Sequence, residues 1–193
     1  MSHLQPWPLN GKIWAVWYVY WLVGAYFTSA NKTREGLFGR IAYTVLLLAG
    51  FFLLFHDRDA PFIFGRFFHS AVAEWLGLGI TAAGLSFAVW ARVHLGKYWS
   101  GVITLKEGHR LIRTGPYGMV RHPIYTGIVL AAIGSVIANA SGDAMVGLIL
   151  IVAALGIKIR REENLLGREF GQEYLEYRRQ VPALVPRPGG SNH

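Results

Sequence analysis

Ala71-Val-Ala-Glu-Trp-Leu-Gly77-Leu-Gly79-Ile-Thr-Ala82-Ala83-Gly84-Leu-Ser-Phe-Ala-Val-Trp90 is an apolar run whose only charge is Glu74, and its length decides the fold. A helix rises about 1.5 Å per residue, so a run of this length spans the roughly 30 Å hydrocarbon core of a bilayer. Upstream, Lys12–Ala30 and Phe38–Phe55 have similar length and character. Downstream, Ile124–Ala138 and Ala144–Ile157 are shorter and flank the turn-rich Asn139-Ala-Ser-Gly-Asp143. Alone, each could be a buried helix of a soluble protein; beside three longer runs they read as a tight helical hairpin. The expectation is an all-α integral membrane protein with five transmembrane helices. It forms a single membrane domain, 1–193, with three helices in 1–95 and a long loop, the hairpin and a protruding C-terminal helix in 96–193. Gly77-Leu-Gly79-Ile-Thr-Ala82 also matches the dinucleotide fingerprint. That fingerprint needs a preceding strand and a loop at the glycines, so here the small residues read as helix-packing sites.

Composition agrees. Of 193 residues, 53% are hydrophobic and 16% charged, against about 25% charged in soluble domains. With five spans, sixteen of the nineteen lysines and arginines share one side, and only Lys12, Arg58 and Arg66 lie on the other. The positive-inside rule then puts the N-terminus outside and the long loop and tail in the cytoplasm. The net charge of +8 reads first as this topology signal and as contact with anionic lipid. Nucleic acid is not expected, since no basic run is interleaved with aromatics on a soluble domain. The absence of cysteine excludes disulfides, thiol nucleophiles and thiolate metal sites. The histidines show no H-x-x-x-H spacing, so no metal is expected. The N-terminus lacks the basic region of a cleavable signal, and its first run is too long for one. Trp7, Trp14, Trp17, Tyr18 and Trp21 read as an interfacial aromatic belt.

The chemistry must then lie in the two polar segments. The loop Arg92–Arg121 is longer than a mere connection and too apolar for disorder. It ends in Gly115-Pro-Tyr-Gly-Met-Val-Arg121-His122-Pro123-Ile-Tyr125-Thr-Gly127. Proline favours the first helical position and pushes its predecessor out of helix. Pro123 therefore starts a helix, with His122 at its cap and Arg121 ending the loop. Free amides there, beside an arginine, suit a carboxylate or phosphate. Tyr125, three residues after His122, shares its face. The tail continues the fifth helix past Lys158 to about Arg179, with Gly167 and Gly171 as weak points. Glu162 and Glu163 stand at its start. Successive helical residues point about 100° apart, so one glutamate can face the protein while the other meets water or a basic group. Ionisable groups at membrane depth usually face a cavity.

Arg121-His-Pro-Ile-Tyr125-Thr-Gly127, then Glu162-Glu163-x-x-Leu166, then Phe170-Gly-Gln-Glu-Tyr174-Leu-Glu-Tyr177 and Val181-Pro182 resemble the isoprenylcysteine carboxyl methyltransferase family. The related phospholipid N-methyltransferases share this core. The resemblance covers roughly 96–186; the first two helices carry no signature. It implies S-adenosyl-L-methionine as cofactor, bound on the cytoplasmic side by the loop, the hairpin and the C-terminal helix. It also implies a lipophilic or prenylated acceptor entering from the membrane lipid. Glu162 or Glu163 can accept from the cofactor's ammonium or ribose hydroxyls. His122, Arg121 and the amides of the fourth long helix suit its carboxylate, with Tyr125 beside them. Val102, Ile103, Leu111 and Tyr117 suit its adenine. An arginine holding an acceptor carboxylate is expected for catalysis, with Arg121 first and Arg92 second. An amine acceptor, as in a phospholipid N-methyltransferase, would instead need a base such as a glutamate or His122. The rival class is an NADPH-dependent membrane reductase of sterol type with Tyr125 as proton donor. Glu162 and Glu163 at the mouth oppose its phosphates. A non-catalytic scaffold leaves the long loop and the acidic pair without a purpose.

Overall fold

The computed structural model describes residues 6–25, 31–34, 37–56, 63–67, 70–96, 104–106 and 111–187. Five long helices dominate them: α1 (Pro6–Ala25), α2 (Leu37–Phe55), α3 (Ala71–Leu95), α5 (Pro123–Asn139) and α6 (Gly142–Phe170), with the short α4 (Pro116–Met119) and α7 (Gln172–Gln180) beside them. Of these, α3 and α6 are long and apolar enough to cross a membrane, while α5 and the 40–55 part of α2 are shorter apolar helices. The all-helical expectation holds for the bundle. One addition was not expected: Asn31–Arg34 (β1) pairs antiparallel with Thr104–Lys106 (β2), with an irregularity between Asn31 and Thr33. This joins the α1–α2 connection to the long loop, so both lie at the same end of the bundle.

The helix limits follow from local chemistry. The Ser70 side chain accepts from the Ala73 amide and Ser141 from Ala144, each capping the helix it precedes. Pro123 opens α5. At the other end of α5, Ala140 takes a left-handed conformation (φ 51°) and turns the chain directly into α6. The α6 helix runs unbroken past Ile157 to Phe170. It stops at Gly171, whose φ of +51° favours glycine. Asp143 then secures the turn by accepting from the Ile63 and Phe64 amides at 2.9 and 2.7 Å.

Two helix pairs approach closely. A Cβ placed on Gly84 of α3 would lie 2.5 Å from the Ala131 nitrogen and 2.6 Å from the Gly127 carbonyl oxygen. Gly77 meets Gly134 and Ala138 in the same way, and Gly50 of α2 meets Gly147 and Ile151 of α6. Small residues at seven-residue spacing on α3 and α5 thus let the backbones touch. Of the small residues expected to pack, Gly77 and Gly84 do so. Gly79 and Ala83 face outward, because they lie off that stripe.

Helix α1 packs quite differently. Trp14 sits edge-on to Trp17, Phe51 and Phe55, with ring centroids 5.3–5.9 Å apart. Its indole N–H donates to Ser135 at 3.0 Å, and Ser135 donates to Asn10 at 3.1 Å. Asn10, Thr81 and Ser135 are fully buried, so this polar cluster fixes α1 against α3 and α5. The tryptophan face read as an interfacial belt is largely turned into the bundle.

Gly84→Val should therefore force α3 and α5 apart. Overpacking of this kind costs about 1–3 kcal/mol, so the thermal unfolding midpoint in detergent should fall by several degrees. Gly79→Ala, with nothing within 4 Å of the added carbon, should leave it unchanged or slightly raised. Equal midpoints for the two variants would refute the close-approach account.

Candidate functional site

Among the described residues the bundle holds a large cavity of about 800 Å³, partly open to its surroundings. It runs along one face of α1 from Trp7 to Trp21, which at 1.5 Å per residue is roughly 20 Å. Leu47, Leu48, Phe51 and Phe55 of α2, Ile128 of α5 and Leu155 of α6 complete an apolar limb. At the end nearest the strand pair the wall turns polar, with Tyr117, Arg121, His122, Tyr125, Lys158, Glu162, Tyr174 and Tyr177.

The acidic pair organises this end. Glu162 faces the cavity and takes the Tyr125 hydroxyl at 2.5 Å on one oxygen and His122 Nδ1 at 3.5 Å on the other. Glu163, one residue on, turns toward Arg121. Its Oε1 accepts from Arg121 Nε at 3.0 Å and Nη2 at 2.5 Å, and lies 3.3 Å from His122 Nε2. Arg178 approaches the other oxygen at 3.7 Å. The His122 ring stacks on Tyr125 at 5.6 Å and 9°. Both ring nitrogens thus face carboxylates, and only an imidazolium can donate to both. Burial alone would push His122 down, but the hydrogen bonds and charges of Glu162 and then Glu163 outweigh it and hold it above its ordinary value.

The C-terminal segment straps this cluster. The amides of Arg121 and His122 donate to the carbonyls of Pro182 and Ala183 at 2.8 and 3.0 Å. The Thr126 hydroxyl donates to Leu184 at 2.8 Å. Arg121 Nη1 donates to the carbonyls of Val181 and, at 3.2 Å, Arg178. Tyr177 donates to the Tyr117 carbonyl at 2.7 Å. On the far side, His94 meets Thr114 at 2.9 Å. The His94 ring lies so close to Gly115 (φ +57°) that a side chain there would collide with it.

The structure gathers Leu111, Tyr117, Arg121, His122, Tyr125 and Glu162 around the cavity, with Glu163 bracing them from behind. It changes what some of them do. His122 is the cap residue of α5 by position, yet its side chain makes no cap bond because the two glutamates hold it. The Arg121 and His122 amides, which precede the helix whose first amides were expected to meet an anion, are occupied by the tail. Arg121 directs four of its five N–H donors to Glu163, Val181 and Arg178, so it fastens the site and is poorly disposed to clamp an acceptor. Arg92 is elsewhere: it is buried, packs on Tyr20 and Trp21 with its guanidinium 5.9 and 5.3 Å from their rings, and presses on Gly24. It is not part of the cavity wall. Val102 and Ile103 lie outside the described residues. Among the described residues no group of three or more histidines and carboxylates could hold a metal ion. Lys158, Ile112, Tyr174 and Tyr177 also line the cavity. Lys158 could have been found from its place one helical turn before Glu162.

The sequence pattern of the isoprenylcysteine carboxyl methyltransferase (ICMT) family matches residues 75–168. The chain is 27% identical over 127 residues to protein-S-isoprenylcysteine O-methyltransferase B of Arabidopsis thaliana, covering 62% of this chain and 64% of that one. It is 28% identical over 170 residues to the Oryza sativa subsp. indica protein named "Probable protein-S-isoprenylcysteine O-methyltransferase", covering 86% and 87%. The solved eukaryotic intramembrane Ras methyltransferase ICMT has a similar fold, with a TM-score of 0.54 at 23% identity over 75% of this chain and 52% of that one. The matched segment holds α3, the long loop, α5 and α6, and with them Arg121, His122, Tyr125 and both glutamates. Residues 75–168, just under half of this chain, thus resemble the isoprenylcysteine carboxyl methyltransferase family.

Proposed function

We propose that the protein is a membrane methyltransferase that uses S-adenosyl-L-methionine to methylate the carboxylate of an isoprenylcysteine-like lipid. It spans the bilayer five times, with the N-terminus outside and the polar end of the cavity in the cytoplasm. The observation that carries this reading is one continuous cavity joining a carboxylate–imidazole–tyrosine cluster to an aromatic limb roughly 20 Å long. Such a shape suits a polar head and a long apolar tail together. The match of residues 75–168 to the family's sequence pattern supports it.

The residues present fit the cofactor. The Glu162 carboxylate would accept from its ammonium or ribose hydroxyls, and the positive charge of an imidazolium at His122, whose two N–H groups are held by the glutamates, would attract its carboxylate at longer range. Tyr117 with Leu111 and Ile112 would flank its adenine. When bound, S-adenosyl-L-methionine supplies an electrophilic methyl: the acceptor's C–O bond forms as the C–S bond breaks, and the electron pair goes to sulfur. An ionised carboxylate needs no base for this, so the protein contributes alignment and exclusion of water. Tyr125 and His122 hold Glu162 in place. The strap 181–184 closes the polar end, and the α1 tryptophans keep the limb apolar.

Isothermal titration of the detergent-purified protein with S-adenosylhomocysteine should show binding. Glu162→Gln and His122→Ala should each weaken it at least roughly tenfold, as expected for loss of a charge-assisted bond. A wild-type protein that binds none, or a double variant that binds as well as wild type, would rule out this site.

The same cluster sets a pH dependence. His122 titrates above its ordinary value in the folded protein. Its contribution is therefore fully present below the ordinary histidine pKa of about 6.5 and is lost as pH rises through the raised value. The thermal midpoint and the affinity for S-adenosylhomocysteine should both decline across that alkaline limb. In His122→Asn the limb should be flat. A variant that retains the wild-type slope would assign the effect to another group.

A further inference from the structure

We propose that Lys158 selects the acceptor's head group: its ammonium pairs with the carboxylate of a lipid whose tail lies in the apolar limb. This rests on the methyltransferase reading of the cavity. Lys158 is one helical turn before Glu162 on α6, and side chains four apart share a helix face; both line the cavity. The preceding cavity residue on the same helix is Leu155, and Ile128 faces it from α5. The lysine therefore stands where the wall changes from apolar to polar, the level at which the head group of a lipid in the limb would come to rest.

The cation is held in place. Lys158 is 9% exposed, and its ammonium lies 5.4 Å from the centre of the Tyr125 ring and 5.6 Å from that of Tyr43. Two aromatic faces hold it by cation–π attraction and narrow its freedom to turn away. It also feels the charge of Glu162, one helical turn on. The other cations are placed for different work. Arg121 is engaged by Glu163 and the C-terminal strap, His122 lies between the two glutamates, and Arg92 is outside the cavity wall.

The field in the cavity follows from these placements. With Arg121 paired to Glu163, His122 and Lys158 face it against one lining carboxylate, Glu162. A carboxylate arriving beside Lys158 would be drawn in by the excess of positive charge. A protonated amine on the same tail would meet like charge in a poorly hydrated place, where repulsion is strong. The preferred acceptor is therefore a carboxylate on a single long apolar chain, and amine-headed lipids are rejected.

The test uses the full-length protein in detergent with two tail-matched acceptors, N-acetyl-S-farnesylcysteine and S-farnesylcysteamine. Transfer of labelled methyl is followed together with S-adenosylhomocysteine binding. Wild type should methylate the carboxylate compound and leave the amine untouched. Lys158→Met, which keeps the apolar stem, should raise KM for the carboxylate acceptor at least roughly tenfold, with kcat changed less and S-adenosylhomocysteine bound within about threefold of wild type. Lys158→Arg should restore most of the KM loss. An unchanged KM in Lys158→Met, a KM rise matched by an equal loss of S-adenosylhomocysteine affinity, or preferential methylation of the amine by wild type would each overturn the assignment. Failure of wild type to bind S-adenosylhomocysteine would instead remove the reading on which it rests.

Discussion

The pairing of Glu163 with Arg121 is the contact on which the polar end depends. Glu163 belongs to the extension of α6, and Arg121 to the last residue of the loop before α5. The side chains of both are about nine-tenths buried. Taking two charges out of water is costly, and only good geometry with further hydrogen bonds offsets it. Those bonds are present. Arg121 spends its other donors on the carbonyls of Val181 and Arg178, and His122 approaches the same carboxylate. One ion pair therefore ties three chain segments far apart in sequence. It also fixes the rotation of α6, which aims Glu162 at the cavity one residue earlier. Removing either partner would leave a buried charge and release the strap that closes the site.

The cavity exists because packing is uneven across the bundle. Where α3 meets α5 and α2 meets α6, glycines and alanines let backbones touch, and no space remains. Opposite them, α1 presents Trp14 and Trp17 toward Phe51 and Phe55, and Trp21 lines the same cavity farther along. Rigid rings with few rotamers hold helices apart without filling every gap between them. The Asn10–Thr81–Ser135 cluster stops α1 from collapsing inward, since sliding the helix would strand buried polar atoms. Small residues on one side and large rings on the other thus set the position and width of the limb.

Much of this was legible in the sequence, and the remainder was not for identifiable reasons. Lengths of apolar runs pointed to the five long helices, because a continuous apolar run of that length favours a buried helix. Proline at 123 and the order of Arg121, His122, Tyr125, Glu162 and Glu163 pointed to the site, because each signal is local. The strand pair carries no alternation of apolar and polar residues, so nothing in Asn31–Arg34 betrays it. Arg92 ranked second to Arg121 as a basic residue at the edge of the long loop. Only the direction in which α3 presents it separates the two, and direction needs the neighbouring helices. The occupation of the Arg121 and His122 amides by Pro182 and Ala183 is a contact across some sixty residues, beyond the reach of any local pattern.

Lys158 illustrates how one residue can answer to two constraints. In the sequence it belongs to the basic excess that would orient a membrane protein, and that explanation is sufficient for its charge. It is not sufficient for its place. A topology signal acts as well from an exposed position, as Arg160 and Arg161 do, and gains nothing from burial between two tyrosines. Desolvating an ammonium is unfavourable unless an opposite charge or an aromatic face compensates, and Lys158 has both kinds of partner around it. Tyr125 hydrogen-bonds Glu162 with its hydroxyl and offers its ring face to Lys158. It thereby spaces an anion and a cation along one wall of the cavity. A donor that brings an ammonium and an acceptor that brings a carboxylate need just such an ordered pair of opposite charges, held apart by a rigid ring.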